Sequence, residues 1–264
     1  MSIKYGITGS TGIVGTRLVK LCGDDAYVIG RDDIQDCTKC KENIDTLIHL
    51  AARYSDSVNE VLDSNIVLIL KVIDYCQKNK ISRVIFFSGM KVYGDVQSDN
   101  LNEESPLYMP NLYGASKYFG EQMFKDSGIT TIVLRLPGLL TLNSKTDFIS
   151  KVLNNMNLKE NVTITNYNLP YNNFISVDDV MKFIRQLSFQ SSYDVINLAV
   201  SSKHTLLDVV EYIKDRTKSN IDIIKSNSIQ NHYIISTERA ESKYQFHPPD
   251  QLKTIDSWLQ LNSL

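Results

Sequence analysis

Short apolar segments alternate with amphipathic stretches along the first half of the chain. The apolar segments are rich in Val, Ile, Leu and Phe, and they predict strands at residues 3–7, 27–29, 46–50, 84–87 and 131–135. Helical spacing of apolar residues between them predicts helices, most clearly at 13–21, 58–78 and 113–125. This β-α-β-α order indicates a doubly wound parallel sheet, covered on both faces and joined by right-handed crossovers.

The connection between the second and third predicted strands is short. Residues 31–45 leave too little chain for a full crossover helix, so we expect a loop with one helical turn. The second half is less regular, with helices predicted at 148–153, 177–187, 206–216 and 252–261 and a strand at 194–198. No repeat or flexible linker interrupts the chain, which favours one continuous two-lobed protein.

Charge and hydropathy narrow the possible partners. The formal net charge is -2 in 264 residues, so no overall positive field favours nucleic acid or an anionic membrane. Apolar runs such as residues 66–70 are far too short to span a bilayer. The first residues lack the pattern of a secretory signal, and we therefore expect a cytoplasmic protein.

The cysteines suggest no metal site. Cys37 and Cys40 form a single C-x-x-C pair, whereas a zinc site needs two further ligands nearby. We expect no metal and ordinary reduced thiols.

Three glycines follow the first predicted strand with the spacing G-x-x-G-x-x-G. They are Gly9, Gly12 and Gly15, and an amphipathic helix begins directly after the second of them. Glycine permits a tight turn, close approach of the backbone to a pyrophosphate, and close packing of helix on strand. The helix N-terminus then offers free N–H groups to phosphate oxygens. The spacing therefore predicts a dinucleotide site, with the Thr11 hydroxyl in its phosphate loop.

The end of the second strand bears on which dinucleotide binds. An acidic residue there hydrogen-bonds the ribose 2′-hydroxyl of NAD, whereas an arginine suits the 2′-phosphate of NADP. Arg31, Asp32 and Asp33 offer both. Arg31 favours NADP, and NAD stays the alternative.

A tyrosine and a lysine stand four residues apart at the start of a predicted helix. Tyr113 and Lys117 therefore share one helix face. We expect the ammonium to lower the tyrosine pKa and to make Tyr113 a general acid/base. Lys117 is also suited to holding the nicotinamide ribose.

Together these motifs resemble the extended short-chain dehydrogenase/reductase family, the NAD-dependent epimerase/dehydratase group. Further matching pieces are His-Leu-Ala-Ala at 49–52, Asn65, Val-Tyr-Gly at 92–94, Arg-Leu-Pro-Gly at 135–138 and Phe-Ile-x-Val-Asp-Asp-Val at 174–180. The resemblance extends over almost the entire chain. It implies a Rossmann fold, a nicotinamide dinucleotide, a nucleotide-sugar substrate bound between two lobes, and a possible homodimer.

The resemblance also implies residue roles. Tyr113 is the acid/base and Lys117 binds ribose. Independently of the resemblance, the position of His49 at the end of the third predicted strand favours a packed residue over a catalytic one. The other cofactor-binding residues are Gly9, Gly12, Ile13, Gly15, Leu50, Ala51, Ala52, Pro137 and Gly138. The substrate-binding residues are Gly89, Met90, Tyr93, Asn173 and Phe174.

One position departs from the family pattern. Family members have Ser-Ser or Ser-Thr before x-x-Val-Tyr-Gly, and the second hydroxyl bonds the reacting oxygen. Here Gly89 stands at that position. Ser88 is the adjacent candidate catalytic residue, although neighbours on a strand point to opposite faces. Loss of such a donor costs roughly 10²–10³-fold in rate, so another group supplies the bond, the activity is weak, or the protein binds without turnover.

The sequence thus predicts a dinucleotide-binding Rossmann domain at 1–140 plus about 175–200, with a smaller substrate lobe at 141–174 and 201–264. The favoured function is NADPH-dependent reduction of a nucleotide-linked keto-sugar, indicated by Arg31 and the short chain. One alternative is a nucleotide-sugar epimerase with tightly bound NAD. The other, which Gly89 motivates, is a non-catalytic dinucleotide-binding regulatory subunit.

Overall fold

The computed structural model describes residues 3–36, 40, 43–228 and 230–262. The strands are β1 (Tyr5–Thr8), β2 (Ala26–Val28), β3 (Thr46–His49), β4 (Arg83–Gly89), β5 (Asn100–Leu101), β6 (Thr130–Leu136), β7 (Gly138–Leu140), β8 (Val162–Ile164), β9 (Phe174–Ser176), β10 (Tyr193–Asn197), β11 (Ile223–Lys225) and β12 (Ile234–Ile235). The α-helices are α1 (Ile13–Cys22), α2 (Arg31–Gln35), α3 (Val58–Leu62), α4 (Leu68–Lys78), α5 (Leu112–Asp126), α6 (Phe148–Leu158), α7 (Val177–Gln186), α8 (Leu206–Thr217), α9 (Glu238–Tyr244) and α10 (Gln251–Leu261).

A six-stranded sheet with the order β10-β6-β4-β3-β1-β2 forms the centre of the first unit. The strand β1 pairs in parallel with β2 on one side and with β3 on the other. Its central strands are apolar on both faces, and the interior of β4 is buried, because helices cover both sides of a doubly wound sheet. The predicted fold class is confirmed.

The strand order reverses at β1, since the chain places β2 on one side of it and β3 on the other. Open α/β sheets bind their ligands in the crevice outside the carboxyl ends of the strands at such a switch point. The connection from β2 to β3 contains only the short helix α2, as its length predicts.

The predicted helix at 58–78 is interrupted. It consists of α3, a π-helical turn over Asp63–Val67 and α4. The turn buries the polar side chains of Ser64 and Asn65. Such turns occur frequently at functional sites, and apolar periodicity alone does not reveal them.

The chain divides into two compact units. The first contains the described residues of Met1–Asp95, Pro106–Arg135 and Gln186–Ile196, and the second those of Val96–Ser105, Leu136–Arg185 and Asn197–Leu264. The predicted domain boundaries differ from these units: the prediction places 96–105, 136–140 and 175–200 with the sheet, whereas the structure places 96–105, 136–140 and most of 175–200 in the second unit. In the structure β5 instead pairs with β12, and β7 pairs with β9.

Each unit has its own apolar core. In the first, Phe86 of β4 and Phe124 of α5 are fully buried around the central strands. In the second, Trp258 of α10 packs among residues of α6 and α8, and its indole N–H donates to the Thr141 carbonyl at 2.9 Å. Among the described residues, no helix has the length and apolar character that crossing a membrane requires.

Cys22, Cys40 and Cys76 form no disulfide with one another, and Cys37 lies outside the described residues. Within the part of the chain that the structure describes, no group of three or more His, Cys, Asp or Glu side chains forms a potential metal site.

Candidate cofactor site and active site

The glycine loop makes close backbone contacts that a side chain would prevent. Gly9 has a φ of +70°, and a Cβ there would lie 2.8 Å from the Ala51 nitrogen. A Cβ on Gly15 would lie 2.1 Å from the Gly9 carbonyl oxygen. The helix α1 that follows has no side-chain cap and no acidic residue in its first turn. Its N-terminal N–H groups are therefore suited to an anionic phosphate.

A cavity of about 550 Å³ lies at this loop, beside the carboxyl ends of β1 and β3. It brings together predicted cofactor residues from three separate parts of the sequence. Its lining consists of Gly9, Thr11, Gly12, Ile13, Val14, Gly15, Arg31, Leu50, Ala51, Ala52, Arg53, Ser64 and Leu68. The volume and the open helix N-terminus fit the pyrophosphate and adjoining part of a dinucleotide.

A second cavity, of about 230 Å³, shares Arg31 with the first one. It is lined by Arg31, Gln35, Asp63, Ser64, Val67, Leu68 and Lys71. It forms because α2 packs against α4, which brings Lys71 to the same cavity as Arg31. Asp33 accepts a hydrogen bond from the Gly30 N–H at 2.8 Å, so this carboxylate caps α2.

Tyr113 and Lys117 lie in the first turns of α5, which Asn111 caps by accepting a hydrogen bond from the Gly114 N–H at 2.9 Å. The Tyr113 hydroxyl makes no hydrogen bond to another described residue. Lys117 is buried, and its ammonium lies 4.1 Å from the centroid of the Phe86 ring. A phenol that can transfer a proton and an ammonium that can stabilise negative charge thus share one helix face.

The prediction that Lys117 lowers the pKa of Tyr113 is wrong for this arrangement. Burial raises the pKa of Tyr113. Burial also lowers the pKa of Lys117 to about 7, against the opposing effect of the Glu121 carboxylate. Helix spacing placed the two groups on one face, but desolvation of the phenol decides the direction of its shift.

Asn65 connects the loop after β3 to the active-site helix. Its side-chain oxygen accepts from the Arg53 N–H at 2.7 Å, and its amide donates to the Arg53 carbonyl at 3.0 Å. The same amide nitrogen lies 2.9 Å from Ser116 Oγ, which donates to the Tyr113 carbonyl at 2.8 Å. This buried network holds the Arg53 peptide at a defined position relative to the backbone of Tyr113.

These features are those of a nicotinamide-dependent protein, and comparison with known proteins decides the family. The model of the NAD dependent epimerase/dehydratase family matches residues 6–199. The chain belongs to this family. The predicted resemblance is confirmed.

Individual relatives of this epimerase/dehydratase protein are distant. The UDP-glucose 4-epimerase of Azospirillum brasilense is 31% identical over 116 residues, which are 40% of this chain and 33% of that enzyme. The match therefore spans about a third of the length of that relative.

Two solved structures share the fold over nearly the whole chain. One is the UDP-N-acetylglucosamine 4-epimerase of Methanobrevibacter ruminantium M1, in complex with UDP-N-acetylmuramic acid, with a TM-score of 0.79, 24% identity and coverage of 98% of this chain and 99% of that one. The other is RMD of Pseudomonas aeruginosa, complexed with NADPH, with a TM-score of 0.82, 17% identity and 100% coverage of both chains.

Ser88 lies in a buried charge network. Its hydroxyl donates to Glu121 at 2.5 Å, and Glu121 also binds Arg135 through two contacts of 3.1 and 2.7 Å. The catalytic role of Ser88 stays a prediction, and in the structure alternation along β4 turns its side chain toward α5, where it donates to Glu121. The adjacent Gly89 has extended backbone dihedrals, φ -160° and ψ 166°.

Three predicted substrate-binding side chains are buried in the units' interiors. Met90 is buried, Tyr93 is fully buried beneath the Arg135 guanidinium at 4.7 Å, and Phe174 packs in the core of the second unit. Their substrate-binding role stays a prediction, because motif positions do not report which side chains face inward. In the structure Tyr93 and Phe174 pack against neighbouring core residues.

The remaining predicted residues of the second unit lie where β7 meets β9. Pro137 precedes β7, and Gly138 pairs with Phe174. A Cβ on Gly138 would lie 2.9 Å from Cβ of Asp147. The Asn173 side-chain oxygen is buried with no hydrogen-bond partner in the described part of the chain, and an amide of this kind is suited to polar recognition.

His49 packs in the first unit as predicted. It is fully buried, its Nδ1 lies 2.7 Å from Thr8 Oγ1, and its ring stacks on Phe86. Burial, assisted by the Lys117 charge, lowers the pKa of His49 to about 3.

This shift predicts a loss of stability in acid. Between pH 6.5 and 3 an unfolded His49 binds a proton that the folded residue does not, so the free energy of unfolding decreases as the pH falls through this window. Urea unfolding at several pH values should show a smaller decrease for His49→Gln than for the unaltered protein. The exposed His247→Gln variant is the control, and an equal pH dependence in all three proteins would refute the role of His49.

Proposed function

We propose that this protein is an NADPH-dependent reductase of a nucleotide-linked keto-sugar. The observation that carries this proposal is the half-buried Tyr113 near the start of α5, whose hydroxyl makes no hydrogen bond to another described residue and which shares a helix face with Lys117. A protonated phenol with an uncommitted hydroxyl is suited to donating a proton to a carbonyl oxygen. Reduction of a carbonyl needs such a donor, whereas oxidation of a sugar hydroxyl, with which an epimerase begins, needs a proton acceptor.

The proposed reduction needs a hydride and a proton, and the cofactor and Tyr113 supply them. NADPH, when bound at the cofactor site, would supply a hydride to the carbonyl carbon and become NADP⁺. The O–H bond of Tyr113 breaks and its proton passes to the carbonyl oxygen, which becomes the hydroxyl of the product. Lys117, four residues along α5, shares the helix face of Tyr113. Solvent then returns a proton to Tyr113.

The similar proteins support the substrate class. The Azospirillum relative is named for UDP-glucose, and the Methanobrevibacter structure contains UDP-N-acetylmuramic acid. A nucleoside diphosphate linked to a sugar is the shared chemistry, and we carry it to this chain as the proposed substrate class.

The proposed preference for NADPH rests on the cavity between α2 and α4. Arg31 and Lys71 offer two cations there, and Asp63 adds one carboxylate to the lining. A guanidinium binds a phosphate through two hydrogen bonds, and an ammonium acts as a point charge. Because Asp33 caps α2, its carboxylate already has a backbone partner. This chemistry favours a 2′-phosphate over a 2′-hydroxyl.

Replacing Arg31 with Ala is therefore expected to weaken NADPH binding about 10- to 100-fold, since a hydrogen bond to a charged group contributes about 1.5–3 kcal/mol. NADH affinity should stay nearly constant. Fluorescence titration with each cofactor measures both constants, and Lys78→Ala at the end of α4 is the control. NADPH binding no tighter than NADH binding in the unaltered protein would refute the preference.

The test of the function is mass spectrometry on a panel of nucleotide sugars and their keto forms, incubated with the protein and NADPH or NADH. A product that gains two hydrogens supports the reductase. A new isomer of unchanged mass supports the second candidate, a nucleotide-sugar epimerase with tightly bound NAD, which the names of the relatives favour. Cofactor binding without any product favours the non-catalytic alternative that Gly89 motivates.

A further inference from the structure

The candidate active site lacks one hydroxyl of the family pattern. Gly89 stands where the family pattern has a hydroxyl side chain, and the neighbouring Ser88 donates its proton to Glu121. Ser116 is also engaged, because its hydroxyl donates to the Tyr113 carbonyl and lies 2.9 Å from the Asn65 amide. None of these three positions therefore offers a hydroxyl donor to the reacting oxygen of a substrate.

Tyr54 is an exposed tyrosine in contact with Tyr113. Its ring lies against the ring of Tyr113, with centroids 5.3 Å apart and an interplanar angle of 57°. Its side chain is 70% exposed, and its hydroxyl makes no hydrogen bond within the described residues. An exposed aromatic ring with a free polar group, beside the proton donor, is available to a bound substrate.

The loop around Tyr54 is braced on both sides. The Arg53 peptide is held by Asn65, which connects through Ser116 to the backbone of Tyr113. On the other side the Arg53 guanidinium lies 2.9 Å from Glu60, and the Ser55 hydroxyl donates to the same carboxylate at 2.7 Å. The ring contact between Tyr54 and Tyr113 is thus supported by a network rather than by two mobile side chains alone.

We propose that the Tyr54 hydroxyl donates a hydrogen bond to the carbonyl oxygen of the keto-sugar, in place of the side chain that Gly89 lacks. This rests on the proposed function. Tyr113 transfers its proton to that oxygen, while the Tyr54 O–H bond stays intact and stabilises the negative charge that develops there. Tyr54 is therefore a catalytic residue supplied by the loop after β3.

Two substitutions at Tyr54 separate the hydroxyl from the ring. Tyr54→Phe removes the hydroxyl and keeps the aromatic contact, and Tyr54→Ala removes both. We expect kcat to fall about 10²–10³-fold in both, with NADPH affinity and thermal unfolding unchanged in Tyr54→Phe. Tyr118→Phe, at a tyrosine of α5 that is 36% exposed, is the control and should keep full activity. Full activity of Tyr54→Phe would overturn the proposal.

A complementation test asks whether the two positions serve the same oxygen. Gly89 has an extended backbone that a serine also adopts. We expect Gly89→Ser in the Tyr54→Phe background to raise kcat at least about tenfold over that of Tyr54→Phe alone, which is within the range for one such donor. A double variant no more active than Tyr54→Phe would overturn the shared role. Absence of reduction by the unaltered protein would overturn the proposed function as well, whereas a normal rate in Tyr54→Phe overturns only this inference.

Discussion

Replacing Tyr113 with Phe is expected to lower kcat about 10²–10⁴-fold, the range for loss of a general acid. Phenylalanine keeps the ring that contacts Tyr54 and removes only the proton donor. No other described side chain makes a hydrogen bond to the Tyr113 hydroxyl, so the substitution leaves no buried partner unsatisfied. Stability and NADPH affinity should therefore stay close to those of the unaltered protein.

The measurement is single-turnover reduction of the keto-sugar, with NADPH affinity titrated in parallel. Tyr118→Phe removes a hydroxyl elsewhere on α5 and provides the matched control. Lys117→Met offers a contrast: if Lys117 binds the nicotinamide ribose as predicted, its loss should weaken cofactor binding as well as turnover. Full activity of Tyr113→Phe would refute its role as proton donor.

The second large effect concerns the buried pair of Glu121 and Arg135. Their side chains are 0% and 5% exposed and form a two-contact ion pair. Glu121→Leu leaves the Arg135 charge buried without its carboxylate and deprives Ser88 of its acceptor. Removal of one partner of a buried pair costs about 3–5 kcal/mol, so we expect a loss of that size in the free energy of unfolding.

Denaturant unfolding of three variants checks this expectation. The double variant Glu121→Leu with Arg135→Met replaces both charges with apolar side chains and should recover part of the loss. Arg216→Met breaks the exposed pair with Asp256, where the arginine side chain is 49% exposed, and should cost less than about 1 kcal/mol. A loss in Glu121→Leu no larger than in Arg216→Met would contradict the role of the buried pair.

The features that the sequence predicted well are local ones. Apolar runs mark strands because a strand covered on both faces needs apolar side chains along its whole length. The glycine spacing predicted the tight turn between β1 and α1, since Gly9 and Gly15 allow backbone contacts that any other residue would obstruct. The short segment after β2 likewise predicted a connection with little helix.

Side-chain direction and burial were harder to predict. Ser88 and Gly89 are neighbours, yet only the fold shows that Ser88 faces Glu121, which lies 33 positions away. The motif positions Tyr93 and Phe174 turned out to be core residues. For Tyr113, helix spacing indicated a lowered pKa, whereas burial, which depends on many distant residues, raises it.

The sequence by itself determined the strand and helix pattern, the glycine-rich turn and the placement of Tyr113 and Lys117 on one helix face, because each depends on residues close together in the chain. Only the tertiary structure decided that Lys71 shares a cavity with Arg31 and that Tyr54 lies against Tyr113. Asn65 likewise connects Arg53, 12 positions before it, to Ser116, 51 positions after it. Such contacts form when crossovers and a π-helical turn bring distant segments together, and no periodicity in the sequence records that approach.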